Sequence, residues 1–350
     1  MQREEIYAAL PGALLPWYAS HARDLPWRRD REPYHVWLSE IMLQQTRVEA
    51  ARGYYLRFLD AFPTLRDLAA ADEARLLKLW EGLGYYSRAR NLQKAARVLC
   101  DEYGGVFPDT REALEGLPGV GPYTAGAVAS ICFERPCAAV DGNVLRVLSR
   151  LTADGAPVDL PATRADIAAR LEAVYPAGAC GAFTQALMEL GAVVCTPKSP
   201  KCGLCPANGF CLAAARGETA RYPVRLPKRE KRTEKRTVLL LECEGRFAVE
   251  RRSASGLLAG LWQLPNLTGE RTADEAMAEA AALETQPAQL CRELRRTHVF
   301  THIRWEMVCY HIRCRCAPTR FVWASPAELR ETYALPTAFR IFLEGEIEKE

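Results

Sequence analysis

The sequence has no apolar run approaching the roughly 18–20 residues that a membrane-spanning helix needs. That excludes a helical membrane protein. Its first ten residues, MQREEIYAAL, contain acidic side chains and no apolar stretch of the kind a secretory leader uses. Charge of one sign is also scarce: the 350 residues sum to only +3, which alone argues weakly for a polyanionic partner. Thirteen cysteines without a leader read as reduced thiols of a cytosolic protein, not as a disulfide framework. The length suits two domains, each with its own core, in an otherwise ordinary soluble composition.

Charge distribution says more than the net value. Arg221, Arg225, Lys228, Arg229, Lys231, Arg232, Lys235 and Arg236 face only Glu230 and Glu234, so this stretch carries +6 and the rest of the chain −3. Such a run reads as a solvated interdomain tether, suitably placed to lie along phosphates. Before it, Val36-Trp37-Leu38 with Ile41-Met42-Leu43, Leu76-Leu77 with Leu79-Trp80, and Ala125 to Ile131 recur at helical periods between glycine and proline breaks. After it, Val238 to Leu241, Phe247 to Val249 and Ile303 to Ile312 read as short strands, interrupted by one helical window near Asp274 to Leu283. The expected fold is an all-α domain over 1–217, a basic linker over 218–236 and a smaller α+β domain over 237–350.

Cys195, Cys202, Cys205 and Cys211 read C-x6-C-x2-C-x5-C in a polar loop with Pro197, Lys198, Pro200, Lys201 and Pro206. Four thiolates at this spacing suit a [4Fe–4S] cluster or a structural zinc. A second C-x-x-C pair, usual in four-cysteine zinc sites, is missing, which favours iron and sulfur. Lys198 and Lys201 would then be presented to phosphates.

Leu117-Pro118-Gly119-Val120-Gly121-Pro122-Tyr123 joins two predicted helices through Gly119 and Gly121, with Pro122 fit for a helix's first turn. The free N–H groups of such a helix start form a phosphate site that reads no sequence. Continued by Thr124-Ala125-Gly126-Ala127-Val128, the segment resembles the helix–hairpin–helix of DNA repair enzymes. With Val140-Asp141-Gly142-Asn143 and the cysteine loop, the resemblance extends over residues 7–215 to the endonuclease III family of base-excision glycosylases. Glu40 lies on a predicted helix among Trp37, Ile41 and Leu43, where desolvation raises a carboxyl's pKa and keeps it a proton donor. The segments Asp24 to Arg28, Trp37 to Thr46 and Glu81 to Leu92 are similar to the adenine-specific, MutY-type branch.

That resemblance implies two helical lobes with a cleft between them, a [4Fe–4S] cluster, and duplex DNA with adenine opposite 8-oxoguanine or guanine as partner. It implies catalytic roles for Glu40, Asp141, Tyr123 and Asn143, with Glu40 as acid, Asp141 as anion, and Asn143 and Tyr123 bonded to Asp141. Family lyases carry a Schiff-base lysine where Tyr123 stands, which implies a monofunctional enzyme. Trp27, Arg28 and Gln185 would line an adenine pocket, with Leu43 and Gln44 near its opening. Gln45 would wedge into the DNA stack and Tyr85 insert beside the oxidised guanine, with Thr46 also binding DNA. Leu257 to Pro265 and His298 to His302 resemble the Nudix-like C-terminal domain of that branch, with Phe300, Thr301 and His302 for the oxidised guanine. Thr301 replaces the usual serine, and no REUxEE metal run follows Gly260. A core-packing role for Phe300 stands beside the recognition role. The rivals are a lyase for oxidised pyrimidines, a non-catalytic mispair binder, and a nucleotide pyrophosphatase that lacks its metal carboxylates. A monomer is expected.

Overall fold

The computed structural model describes residues 1–227 and 230–346. Lys228 and Arg229 of the basic stretch lie outside the described residues. Helices come first: α1 (Arg3–His21), α2 (Pro33–Leu43), α3 (Val48–Ala61), α4 (Leu65–Ala70), α5 (Glu73–Leu79), α6 (Ser87–Glu102) and α7 (Arg111–Glu115). Then follow α8 (Pro122–Phe133), α9 (Gly142–Thr152), α10 (Pro161–Glu172), α11 (Cys180–Val193) and α12 (Leu212–Ala215). None of the described helices is long and apolar enough to cross a membrane.

The chain divides into two compact units, and the division is not that of the sequence halves. The first holds Met1–Ala70 and Asn91–Pro227; the second holds Ala71–Arg90 with the C-terminal residues. In the first unit, α1 buries Ile6, Tyr7, Leu10, Leu14 and Trp17 at helical spacing. These meet Val144, Leu145 and Leu148 of α9 and Phe183, Ala186, Leu187 and Leu190 of α11 in one core. A second contact joins α2 to α8 through Val36, Ala127 and Ile131. On α8, Gly126 lets the segment at Ala138 and Ala139 approach closely, since a Cβ there would run into the Ala138 carbonyl. Gly119 takes φ +77° with its α-carbon against Asn91, as the hairpin reading requires, whereas Gly121 is an ordinary extended N-cap of α8.

The second unit is built on β1 (Arg232–Cys243), β2 (Arg246–Arg251), β3 (Trp262–Gln263), β4 (Asn266–Thr268), β5 (Pro287–Val299), β6 (Ile303–Cys314) and β7 (Val322–Ala324). Their order is β3-β2-β1-β6-β5, with β4 beside β1 and β7 beside β2; β1 and β6 run parallel and the other pairs antiparallel. The unbroken Val238-Leu239-Leu240-Leu241 run is explained by two covered faces. Val238 and Leu240 pack with Phe339 and Phe342, from α15 (Thr337–Arg340) and just beyond it, and with Leu329 of α14 (Pro326–Glu331). Leu239 and Leu241 pack on Ala276 and Ala280 of α13 (Ala273–Ala282), the one helical window read from sequence.

Two expected boundaries move. The linker does not reach residue 236, because Arg232 to Arg236 already pair with Ile303 to Met307 of β6; their polarity marks exposed strand positions. Residues 71–90 leave the N-terminal group because their polar side chains are satisfied in the second unit. Lys78 Nζ donates to Glu81 Oε2 (2.7 Å) and to the Leu329 and Tyr333 carbonyls (3.0 and 3.1 Å). Glu81 Oε1 accepts from the Leu335 N–H at 2.7 Å, and Arg90 reaches the Ala259 carbonyl at 2.9 Å. These contacts are to main chain of unspecific sequence, so no residue pattern announces them.

Candidate active site

Three helix positions converge on one cavity of about 490 Å³ in the first unit. The seventh to eleventh residues of α2 bring Glu40 and Leu43, the first turn of α8 brings Tyr123, and Asp141 caps α9. The wall also includes Trp27, Arg28, Gln44, Gln45, Thr46, Asn143 and Gln185. Every residue expected in catalysis or in the adenine pocket is therefore in one place.

The two carboxyls are held differently. Glu40 is 6 % exposed, and its Oε2 accepts a hydrogen bond from the Tyr123 hydroxyl. Burial pushes its pKa up to about 7, with the Asp141 charge adding to the rise and Tyr123 and Arg28 opposing it. Asp141 Oδ1 accepts the Val144 N–H at 2.7 Å and Oδ2 the Asn143 amide at 2.9 Å. Burial raises Asp141 as well, against those two donors and Arg146. Asn143 therefore bonds the Asp141 carboxyl. That for Tyr123 needs correction: its proton goes to Glu40, because it faces α2 and Asp141 is already engaged by its own helix start.

Three partners were not legible as site residues. Arg146 donates to Asn143 Oδ1 (2.7 Å), the Gly191 carbonyl (2.8 Å) and the Cys195 carbonyl (2.8 Å). Tyr18 donates to Gln185 Oε1 at 2.6 Å. Glu189, 0 % exposed, binds Arg23 and Arg28. A carboxylate inside the apolar Leu187-Met188-Glu189-Leu190 stretch is the same signal that marked Glu40.

The other expected residues lie elsewhere. Gly119 and Gly121 shape the hairpin before α8. Cys195, Cys202, Cys205 and Cys211 line one cavity together with Arg150, whose Nη1 is 3.4 Å from Cys195 Sγ. Arg150 also donates to the Thr196 and Pro197 carbonyls (2.7 and 2.9 Å), clipping the loop to α9. Lys198 and Lys201 are exposed on that loop. In the second unit, Tyr85, Phe300, Thr301 and His302 line a cavity of about 690 Å³. There Tyr85 and Thr301 join hydroxyls at 2.9 Å. Phe300 stands edge-on to Trp305 at 4.8 Å and to His298 at 4.6 Å, so its ring packs on the domain core.

Residues 38–170 match the family described as "HhH-GPD superfamily base excision DNA repair protein", and residues 236–345 match the NUDIX domain. The chain is 37% identical to the adenine DNA glycosylase of Homo sapiens over 85% of its own length and 65% of that protein's. With the Rattus norvegicus adenine DNA glycosylase it shares 39% identity, over 83% of this chain and 68% of the relative. The chain belongs to the adenine DNA glycosylase family. It spans about two thirds of the length of those two mammalian relatives. Among solved structures, a thermostable thymine-DNA glycosylase is similar with a TM-score of 0.55 and 30% identity, over 61% of this chain and 97% of that one. An endonuclease III–DNA complex gives 0.53 and 25%, over 62% and 98%.

Two carboxyls thus share one cavity wall, Glu40 with a pKa pushed up to about 7 and Asp141 held by an N–H and an amide. The sign of each effect is testable on the isolated protein. Titration of Glu40 followed by carboxyl infrared bands or ¹³C resonances should show it protonated below about pH 7 and ionised above. Tyr123→Phe removes a bond to the anion and should move that midpoint upward; Asp141→Asn removes a repelling charge and should move it downward. A wild-type midpoint in the ordinary glutamate range would overturn the desolvation argument.

Proposed function

We propose that the chain is a monofunctional adenine DNA glycosylase acting in base excision repair on duplex DNA with adenine opposite 8-oxoguanine or guanine. The observation that carries this is the joint placement of Glu40, Tyr123 and Asp141 in one cavity. Flipping the adenine out of the stack costs a few kcal/mol, less for a mispaired base. Gln45 wedges the stack it vacates, and Trp27, Arg28 and Gln185 receive the base. Glu40 gives its proton to adenine N7, so the base leaves neutral. The ionised Asp141, held by Val144 N–H and Asn143, faces the cationic character left on the sugar, and water completes the hydrolysis. The lyase rival needs an amine, and Tyr123 offers none.

The hairpin at Gly119 and Gly121, the half-buried Thr46 and the exposed Lys198 and Lys201 serve phosphates and backbone. In the C-terminal unit, Tyr85, Thr301 and His302 read the oxidised guanine, with Phe300 as the packed base of that loop; the domain lacks the carboxylates of a pyrophosphatase. The spacing of Cys195, Cys202, Cys205 and Cys211 and the one cavity they line support a [4Fe–4S] cluster, although among the described residues no side-chain group is drawn together closely enough to hold a metal ion. If bound there, the cluster would tie the loop through these four thiolates. A monomer in the cytosol, near the chromosome, is the expected setting.

Single-turnover excision from an adenine·8-oxoguanine duplex is the test. Glu40→Gln should bind the duplex yet lose about 10²–10⁴ in rate, and Asp141→Asn should do likewise; near-wild-type excision would refute the assignment, and borohydride trapping of a Schiff base would establish the lyase. Thr301→Ala should narrow the preference for 8-oxoguanine over guanine, whereas unchanged discrimination moves recognition elsewhere. Protein purified anaerobically should be brown and hold about four irons; a colourless zinc protein would replace the cluster and leave the chemistry standing.

A further inference from the structure

Glu189 is the buried carboxylate on the wall of the catalytic cavity that the reaction above does not use. Its side chain on α11 is fully buried and both oxygens are taken: Oε1 by Arg23 Nε at 2.6 Å, Oε2 by Arg28 Nη2 at 2.8 Å and Arg23 Nη2 at 2.9 Å. Arg23, Arg28, Glu189 and Glu40 line the same cavity. Arg28 also lies over the Tyr18 ring at 5.7 Å, so its guanidinium has a fixed direction. Two cations on the wall of a desolvated cavity favour the ionised form of any carboxyl inside it. One anion placed between them cancels most of that field.

We propose that Glu189 is a positioning residue for base excision: it neutralises Arg23 and Arg28, so that the cavity keeps Glu40 as a proton donor while Arg28 stays fixed on its wall. The inference rests on the reading of Glu40 as the acid. The groups facing Glu40 are Tyr123 and Cys132 from α8, Asp141 at the start of α9, and Arg28 from the turn at 26–28. Those facing Glu189 are Arg23, Arg28 and Tyr18. Tyr123 and Asp141 act on Glu40 directly and do not pass through Glu189. Removing the Glu189 charge therefore unmasks Arg28 and withdraws an anion from the cavity. Both changes favour ionised Glu40, the form that cannot protonate adenine.

The experiment is the pH dependence of single-turnover adenine excision for wild type, Glu189→Gln and Arg23→Gln. Wild type should lose rate as pH rises through Glu40's titration. In Glu189→Gln that limb should move to lower pH by on the order of one unit, a loss of about tenfold above the limb that recovers on acidification. Arg23→Gln removes a cation instead and should move the limb to higher pH; Arg23 is on the cavity rim, so this variant keeps the test available where Glu189→Gln does not fold. Opposite shifts are a signature that a purely structural ion pair does not give. Limbs at the wild-type pH in both variants, with rates lowered uniformly or not at all, would overturn the inference while leaving Glu40 as acid. A wild-type profile without an alkaline limb would instead refute the reading of Glu40, and this inference with it.

Discussion

The cavity that holds Glu40 and Asp141 depends on the cap that Asp141 makes for α9. A helix start leaves N–H groups without partners, and an aspartate before the first turn satisfies one of them. Here that requirement fixes a carboxylate on the cavity wall, with Val144 N–H on one oxygen and Asn143 on the other. The fixation continues outward. Asn143 is held by Arg146, which also binds the carbonyls of Gly191 on α11 and Cys195 at the start of the cysteine loop. Gly191 must lack a side chain, since a Cβ there would stand 2.5 Å from the Cβ of Asn143. One helix cap thus ties the Asp141 carboxylate, the α9–α11 packing and the cysteine loop into a single network.

The same cavity has to treat two carboxyls in opposite ways. Burial is the largest influence on both and raises both. The groups that oppose it differ: Asp141 has the Val144 N–H, the Asn143 amide and the field of Arg146, while Glu40 has the Tyr123 phenol and the field of Arg28. Donors to the charged form favour ionisation, and Asp141 has more of them, whereas Glu40 is pushed up to about 7. Dryness supplies the upward pull on both, and the donors work against it.

Much of this was legible because it is local. The hairpin, the cap at Asp141 and the apolar surroundings of Glu40 each sit within a few residues of sequence, and the family resemblance gathered them. What escaped was long-range and polar. Glu189 meets Arg23 and Arg28 across more than 160 residues, and Tyr18 meets Gln185 over a similar span. The direction of the Tyr123 hydroxyl follows from which face of α8 meets α2, a packing fact that spacing alone does not carry. The early start of β1 escaped for another reason: Arg232 to Arg236 have linker composition, and only pairing with β6 makes them strand.

Two exposed side chains are held by backbone that an L-residue adopts reluctantly. Gln45 has φ +60° just past the end of α2, and Tyr85 has φ +47° just before α6. Each conformation costs roughly 1–2 kcal/mol and persists only where the surroundings over-determine it. They do at Tyr85. Trp80 Nε1 and Arg88 both bond the Gly84 carbonyl (3.1 and 3.2 Å), Arg88 N–H bonds the Tyr85 carbonyl (2.9 Å), and the Arg88 guanidinium lies over the Tyr85 ring. Lys78 and Glu81 fasten the same segment from beneath. At 46 % exposure the Tyr85 ring gains little from packing that would offset this strain. A ring held in this way would meet a partner outside the protein without first losing conformational freedom.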